Sequence, residues 1–157
     1  MNIHLPHYST SSQMTPDLWK SVQYFNPNEN WGNPNKMNVH LIFYTDLLRK
    51  LCNTAIGVHN AYELTGHSPT GEHPKGRAVD CYARRISLMD FYMVAMRLPF
   101  TGVGIYRWWT TEGIHLDRKP LLDDQPRRVW YRDQHGIYHN IITYSDLMSC
   151  FGEKKVS

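Results

Sequence analysis

Apolar side chains recur at helical spacing in several stretches of the chain. Residues 38–52 form the first predicted helix. The second has an N-cap at Ser87, has Asp90 in the capping-box position and ends before Pro99. A closing helix is predicted over residues 145–151. The core-facing stripes are Leu41, Tyr44, Leu48 and Leu51 in the first helix, and Leu88, Phe91, Ala95 and Leu98 in the second.

Alternation of apolar and polar residues predicts the strands. Four strands are expected at residues 55–62, 77–83, 102–109 and 113–117, and a hairpin over 128–141 that turns at Asp133–Gly136. The order of helices and strands lacks a regular βαβ alternation. The sequence therefore predicts one α+β domain, with a mainly antiparallel sheet flanked by helices.

The start of the chain differs in composition from the rest. Residues 1–36 are rich in Ser, Thr, Asn and Pro, and the stretch "NPNENWGNPNK" within them has no apolar period and is expected to be a loop. They also contain aromatic side chains that are costly to leave in water, namely Trp19, Tyr24, Phe25 and Trp31. We therefore predict an N-terminal arm, 1–36, packed on a domain formed by 37–157.

Charge and composition narrow the function classes. The net charge of +3 comes with scattered basic residues and no recognised nucleic-acid motif, so we expect no nucleic-acid partner. The three cysteines include no close pair and are expected to be reduced. No long apolar window and no secretory signal are visible, which predicts a protein made in the cytoplasm without a membrane span. Phage and host origins, and the oligomeric state, stay open.

The stretch "TGEHPKGRAVD" combines two residue types that bind metal ions. His73 and Asp80 lie seven positions apart, and Gly76 between them can supply the backbone conformation that turns the chain back. In "TTEGIHLD", strand alternation directs His115 away from the core. A catalytic zinc site needs three protein ligands and an open position for water. His73 and Asp80 alone would also suit an ordinary polar loop, but the second stretch favours a metal site.

Glu112 precedes His115 by three residues, at the entry to the predicted strand. There a carboxylate can lie beside a metal-bound water, take its proton and pass it to a leaving amine. Asp117 shares a face with His115 and can orient its ring. This combination is typical of metal-assisted amide hydrolysis.

These two motifs carry a resemblance to a known family. "HPKGRAVD" fits His-x-x-Gly-x-Ala-x-Asp and "EGIHLD" fits acid-x-x-His-x-Asp. The chain, over about residues 38–120, resembles the zinc D-Ala-D-Ala carboxypeptidase and L-alanyl-D-glutamate peptidase superfamily, which includes phage endolysins and, as distant relatives, Hedgehog signalling domains. The resemblance implies Zn²⁺ held by His73, Asp80 and His115, Glu112 as the catalytic carboxylate, and peptidoglycan stem peptides as substrate.

Two positions depart from the family pattern. Glu63, in "NAYE", replaces an arginine that helps hold the substrate or the developing oxyanion, and Gly71 replaces a serine. Capture of a free carboxylate then requires Arg77, Arg84 or Arg107, and endopeptidase action is favoured. The same departures leave open a non-catalytic, zinc-stabilised module that binds the cell wall or a protein.

Further side chains have weaker signals. His59 and His67 lie near the proposed site in sequence, as structural histidines or as groups that assist the site. His135 and His139 flank the predicted hairpin turn, where turn and surface roles are favoured. About half of an aromatic set is expected to line a cleft and the rest to lie in the core: Tyr106, Trp108, Trp109, Trp130 and Tyr131.

Overall fold

The computed structural model describes residues 12–152. The helices are α1 (Pro16–Trp19), α2 (Val39–Cys52), α3 (Leu88–Ala95) and α4 (Tyr144–Gly152). The strands are β1 (Ile56–Asn60), β2 (Ala78–Ala83), β3 (Gly102–Tyr106), β4 (Gly113–Asp117), β5 (Arg128–Arg132) and β6 (Tyr138–Asn140). Short 3₁₀ helices span Pro34–Lys36 and His73–Lys75.

All six strands belong to one sheet, in the order β1-β2-β4-β3-β5-β6. Neighbouring strands are antiparallel except β3 and β5, which pair in parallel. The predicted α+β class, with a mainly antiparallel sheet and helices, is confirmed. The parallel pair was not predicted, because strand order depends on contacts between distant segments.

The sheet has one buried face and one open face. Along β2, β3 and β4 alternate side chains point to opposite faces, and the apolar set packs against α2 and α3. The fully buried members of this set are Val79, Cys81, Val103, Ile105, Ile114 and Leu116. Polar and aromatic side chains are therefore left on the other face, where the candidate site lies.

Helix α2 differs in one detail from its predicted stripe. Its N-cap is Asn38, whose side chain accepts a hydrogen bond from the Leu41 amide. Leu41 and Leu48 are fully buried, but Leu51 is 43% exposed and Cys52 is buried in its place. The prediction for Leu51 was wrong because a helix advances 100° per residue, which leaves positions 41, 48 and 52 on the core side.

The remaining predicted elements are present, but α3 ends at Ala95, so that buried Leu98 of its predicted stripe lies beyond the helix. Helix α1 and the 3₁₀ helix Pro34–Lys36 of the arm were not predicted. The Ser87 side chain accepts a hydrogen bond from the Asp90 amide, as expected of the N-cap of α3. The turn between β5 and β6 is stabilised by Asp133, whose carboxylate accepts hydrogen bonds from the His135 and Ile137 amides. Helix α4 closes the described chain.

Residues 12–36, the described part of the predicted arm, pack on the rest of the molecule. Trp19, Phe25 and Trp31 are buried within the common core, whereas Tyr24 is 40% exposed. The prediction that the Tyr24 side chain packs on the domain was therefore wrong. Its backbone amide donates a hydrogen bond to the Asp46 carboxylate. Residues 1–11 of the predicted arm, and with them the absence of a signal sequence, lie outside the described residues.

None of the helices between residues 12 and 152 has the length and apolar character needed to cross a membrane.

Candidate metal centre

The open face of the sheet brings together residues from four strands. Asp80 of β2 pairs with His115 of β4, His115 pairs with Gly104 of β3, and Gly104 pairs with Trp130 of β5. Neighbouring strands lie about 4.8 Å apart, so these four residues form a row across the sheet. The row places a carboxylate beside an imidazole on the exposed side of the core.

His73 reaches this row from the loop between β1 and β2. It begins the 3₁₀ helix His73–Lys75, which ends at Gly76 with a left-handed backbone, φ +67°. A Cβ at Gly76 would overlap the Lys36 carbonyl oxygen of the arm, so the tight turn requires glycine. The turn leads directly into β2 and leaves the His73 side chain buried against Asp80.

The three residues expected to bind a metal place one donor atom each in a small triangle. Nε2 of His73 lies 3.3 Å from Nδ1 of His115 and 3.5 Å from Oδ1 of Asp80. Nδ1 of His115 lies 2.8 Å from the same carboxylate oxygen. Tetrahedral zinc with bonds of about 2.0–2.1 Å keeps its donor atoms about 3.4 Å apart. The triangle is therefore close to the size that one divalent cation requires.

The outer nitrogen of each imidazole has its own acceptor. Nδ1 of His73 lies 2.6 Å from the Ala61 carbonyl oxygen, and Nε2 of His115 lies 3.2 Å from Oδ2 of Asp117. When a ring is neutral, its acceptor can take the N–H, and the nitrogen facing Asp80 then has a lone pair for a cation. This nitrogen and oxygen donor set suits zinc and other divalent cations alike.

Asp117 is itself held in place. Its carboxylate accepts two hydrogen bonds from Nη2 of Arg128, at 2.6 and 2.8 Å, and one from the Lys119 amide at 3.0 Å. These contacts fix the oxygen that orients His115. The contacts agree with the orienting role expected of Asp117.

The hydrogen bonds and charges of this cluster favour the binding of a cation or a proton between Asp80 and the imidazole rings. Burial lowers the pKa of His115, but hydrogen bonds from its ring to Asp117 and Asp80 outweigh burial and raise this pKa to about 9. For Asp80, burial raises the pKa, but hydrogen bonds from His115 and His73 outweigh it and hold the pKa well below its ordinary value. The carboxylates are thus ionised at neutral pH, which attracts a cation or a proton to the same point.

An open cleft of about 940 Å³ lies over the row. Its aromatic lining comprises Tyr106, Trp109, Trp130 and Tyr138. Trp108 lines a smaller adjoining cavity of about 250 Å³, and Tyr131 is buried. Part of the expected set lines the cleft, but only Tyr131 lies in the core, fewer than the expected half.

Two glycines of β3 allow side chains of β5 to reach His115 and Asp117 on β4. A Cβ at Gly104 would lie 2.6 Å from the Trp130 indole, whose ring centroid is 5.4 Å from that of His115. At Gly102 a Cβ would overlap Asp117 and the Arg128 guanidinium. The glycines thus clear the middle strand, so that Trp130 walls the site and Arg128 holds Asp117.

Glu112, the expected catalytic carboxylate, is exposed just before β4 and is not part of the cleft lining. Its neighbours Thr110 and Thr111 line the cleft instead. His115, three positions further on, faces into the cleft. The structure therefore places Glu112 at the exposed entry to β4 and not among the residues that line the cleft.

The arginines considered for carboxylate capture also lie elsewhere. Nε of Arg77 is 2.8 Å from Oε2 of buried Glu72, close enough for an ion pair but not aligned for a hydrogen bond. Arg107 donates to the Cys150 carbonyl, and the Arg84 guanidinium lies over the Tyr82 ring. None of the three lines the cleft. The cationic residues that do line it are Lys119, Arg128 and Arg132.

These cationic residues were missed because their position depends on the parallel pairing of β5 with β3. Alternation in "RVWYR" does place Arg128, Trp130 and Arg132 on one face of β5. Only the pairing shows that this face borders the metal centre.

Three further histidines with sequence-based expectations make different contacts. His139 bonds Asp133 at 2.8 Å within the hairpin, in agreement with the expected turn role. His59 lines the cleft, and its Nε2 lies 3.1 Å from the Thr111 carbonyl oxygen. His67 stacks on His73, with ring centroids 4.0 Å apart. Of His59, His67 and His139, His67 is the one whose ring stacks on a residue of the triangle.

Comparison with known proteins found no matching family and no matching curated protein. The functional argument therefore depends on the motifs and on the geometry of the cleft.

Proposed function

We propose that this protein is a zinc-dependent peptidase that hydrolyses amide bonds in the stem peptides of peptidoglycan. The observation that carries the proposal is the convergence of one donor atom each from His73, Asp80 and His115 at the floor of an open cleft. The resemblance of both motifs to the zinc cell-wall peptidases supports the same reaction and substrate class.

The side chains have distinct tasks in this proposal. His73 and His115 would each offer a nitrogen lone pair, which for His115 requires the cation to displace a proton, and Asp80 contributes negative charge. Ala61 and Asp117 keep the two rings in orientation. When bound, zinc supplies Lewis acidity, which activates a water molecule and polarises the carbonyl group of the substrate.

The cleft has the chemistry to bind an acidic peptide. The aromatic side chains of Tyr106 and Trp130 offer apolar surface for a peptide plane, and the indole N–H of Trp130 donates to the Tyr106 hydroxyl. Lys119, Arg128 and Arg132 border the same cleft and attract carboxylates. Stem peptides carry such carboxylates, and endopeptidase action remains our proposal for the mode of cleavage.

Glu112 is the proposed group for proton transfer. It lies in the segment between β3 and β4, outside the cleft lining, so this role requires the segment to move its carboxylate inward. Segments between strands are the parts of a fold that move most readily. The role of Glu112 is therefore a separate point to test.

A second candidate function is a non-catalytic, zinc-stabilised module that binds a cell-wall polymer or a protein. One observation favours it. Each carboxylate that lines the cleft is already engaged: Glu72 with Lys75 and Arg77, Asp80 with both histidines, and Asp117 with His115 and Arg128. A proton acceptor must then come from elsewhere in the chain.

Zinc analysis combined with peptidoglycan digestion tests the proposal. The purified protein is expected to hold one zinc ion, and to release new amino groups from peptidoglycan in a manner that chelator abolishes. Glu112→Gln is expected to retain zinc and to lose about 10²–10⁴-fold in rate, the usual contribution of a positioned acid or base. Asp123→Asn, at another exposed acid outside the cleft lining, is the matched control and should retain full activity.

The outcomes separate the two candidates. Zinc binding with sedimentation on cell walls, but without amine release, would favour the binding module. Full activity in Glu112→Gln would show that the assigned proton transfer is wrong while leaving the peptidase intact. Mass spectrometry of the released fragments then identifies the scissile bond.

A further inference from the structure

His67 lies next to the donor triangle although no motif marks it. The loop after β1 folds back so that the His67 ring stacks on the His73 ring, with 4.0 Å between centroids and 18° between planes. One donor atom each of His67, His73 and Asp80 lie within 4.8 Å of one another. His67 thus borders the one position that three ligands leave open on a tetrahedral ion.

His115 belongs to the same group of donors. Its Nδ1 is within 3.3 Å of the His73 and Asp80 donor atoms. Together with His67, whose donor atom lies within 4.8 Å of those of His73 and Asp80, the candidate ligands are three imidazoles and one carboxylate. Four such protein donors are what a closed tetrahedral zinc site contains, whereas an open site has three.

The position of His67 is adjustable. Donor atoms in such a site lie about 3.4 Å apart, so His67 needs to approach by about 1 Å or slightly more. Its side chain is 28% exposed and belongs to a stretch, residues 61–72, without helix or strand. Such loops accommodate small shifts more easily than the sheet does.

His67 also has a second set of partners. The Asn60 amide donates to Nε2 of His67 at 2.9 Å, and the Glu63 carboxylate lies 3.1 Å from the same nitrogen. The amide of Asn60 also donates to the Glu63 carboxylate. Glu63, which departs from the family pattern, therefore forms part of a polar holder for His67.

From this geometry we propose that His67 is a fourth protein ligand of the metal ion in the substrate-free protein. Asn60 and Glu63 would hold the ring when it is not bound to the ion, and the site would then have the three protein ligands and the open position that the proposed reaction requires. The inference rests on the metal centre of the proposed function and adds one ligand to it. In this proposal Glu63 holds His67. The arginine that the family pattern has at this position would instead help to capture a carboxylate of the substrate.

Histidine side-chain ¹H–¹⁵N NMR of the full chain, recorded before and after addition of zinc, tests this inference. Zinc is expected to shift one ring nitrogen each of His67, His73 and His115, assigned with single His→Ala variants. His67→Ala should bind zinc at least about tenfold more weakly in a chelator competition. His59→Ala, which also lines the cleft, is the matched control and should bind zinc as the wild type does.

The outcomes are distinct for the two proposals. If zinc shifts only His73 and His115, and His67→Ala binds as tightly as the wild type, the fourth ligand is refuted and the peptidase proposal stands. If zinc shifts all three rings but neither the wild type nor any variant releases amino groups from peptidoglycan, the fourth ligand stands and the peptidase proposal fails. Absence of stoichiometric zinc overturns both. Near-UV circular dichroism confirms that His67→Ala is folded.

Discussion

Gly104 gives the open face of the sheet its shape at the scale of a single residue. The indole of Trp130 occupies the space above this glycine and contacts His115. A side chain at position 104 would push the indole away from the metal centre. The missing side chain is therefore as important to the cleft as the aromatic ring itself.

Gly104→Ala is expected to destabilise the protein by about 1–3 kcal/mol, since the added methyl group overpacks a site with no space for it. Urea denaturation measures the loss. Gly152→Ala is the matched control, because nothing lies within 4 Å of a Cβ there. Equal stability of the two variants would contradict the tight packing of Trp130 on β3.

The predicted site residues differ in how well their positions in the structure match the sequence-based expectation. His73, Asp80 and His115 were predicted from short motifs, and the structure brings their donor atoms together. Glu112, which the second motif also supplied, is exposed and is not among the residues that line the cleft. His67 could not be assigned, because its contact with His73 depends on the path of an irregular loop.

At the scale of elements, one buried carboxylate of helix α2 binds three consecutive backbone amides of the arm. Asp46 accepts hydrogen bonds from the amides of Gln23, Tyr24 and Phe25, at 3.1, 2.7 and 3.1 Å. A charged acceptor satisfies several amides at once, which an irregular segment cannot do by itself. Asp46 thus holds the arm in the position in which the carbonyl groups of Trp31 and Lys36 contact the loop that carries His73.

Asp46→Asn is expected to cost about 1–3 kcal/mol, because the amide group of Asn confronts one of the backbone donors and leaves it unsatisfied. Urea denaturation and hydrogen exchange of residues 23–25 measure this loss. Asp17→Asn, at an exposed acid that pairs with Lys20, should change stability little. Unchanged exchange in Asp46→Asn would contradict the anchoring role.

Elements were predicted better than their arrangement. Periodicity located α2, α3, α4 and the six strands, because the spacing of buried residues along a segment is a local property. The predicted stripe of α2 failed only at Leu51, near its end. The parallel pairing of β3 with β5 was not visible, since it joins segments separated by the whole of β4.

For the molecule as a whole, three buried thiols report on the integrity of the fold. Cys52 lies in α2, Cys81 in β2 and Cys150 in α4, and all are free and buried. Burial raises the pKa of Cys52 to about 11 and that of Cys81 well above its ordinary value. The reactive thiolate is therefore scarce at neutral pH.

We expect the native protein to react negligibly with a thiol reagent at pH 8, and the unfolded protein to show three thiols. Because the three cysteines belong to one core, they should become reactive in a single urea transition. Mass spectrometry of the labelled protein assigns each site. Early labelling of one cysteine alone would show that its element opens independently.

The sequence by itself determined the α+β class, most helix and strand positions and the three residues of the donor triangle. Those features depend on local periodicity and on short motifs, in which the relevant residues lie within one or two elements. Only the tertiary structure decided the strand order, the cationic and aromatic walls, the place of Glu112 outside the cleft and the contact of His67 with His73. These depend on contacts between distant segments, whose pairing is selected by burial of the entire core and not by any single stretch of the chain.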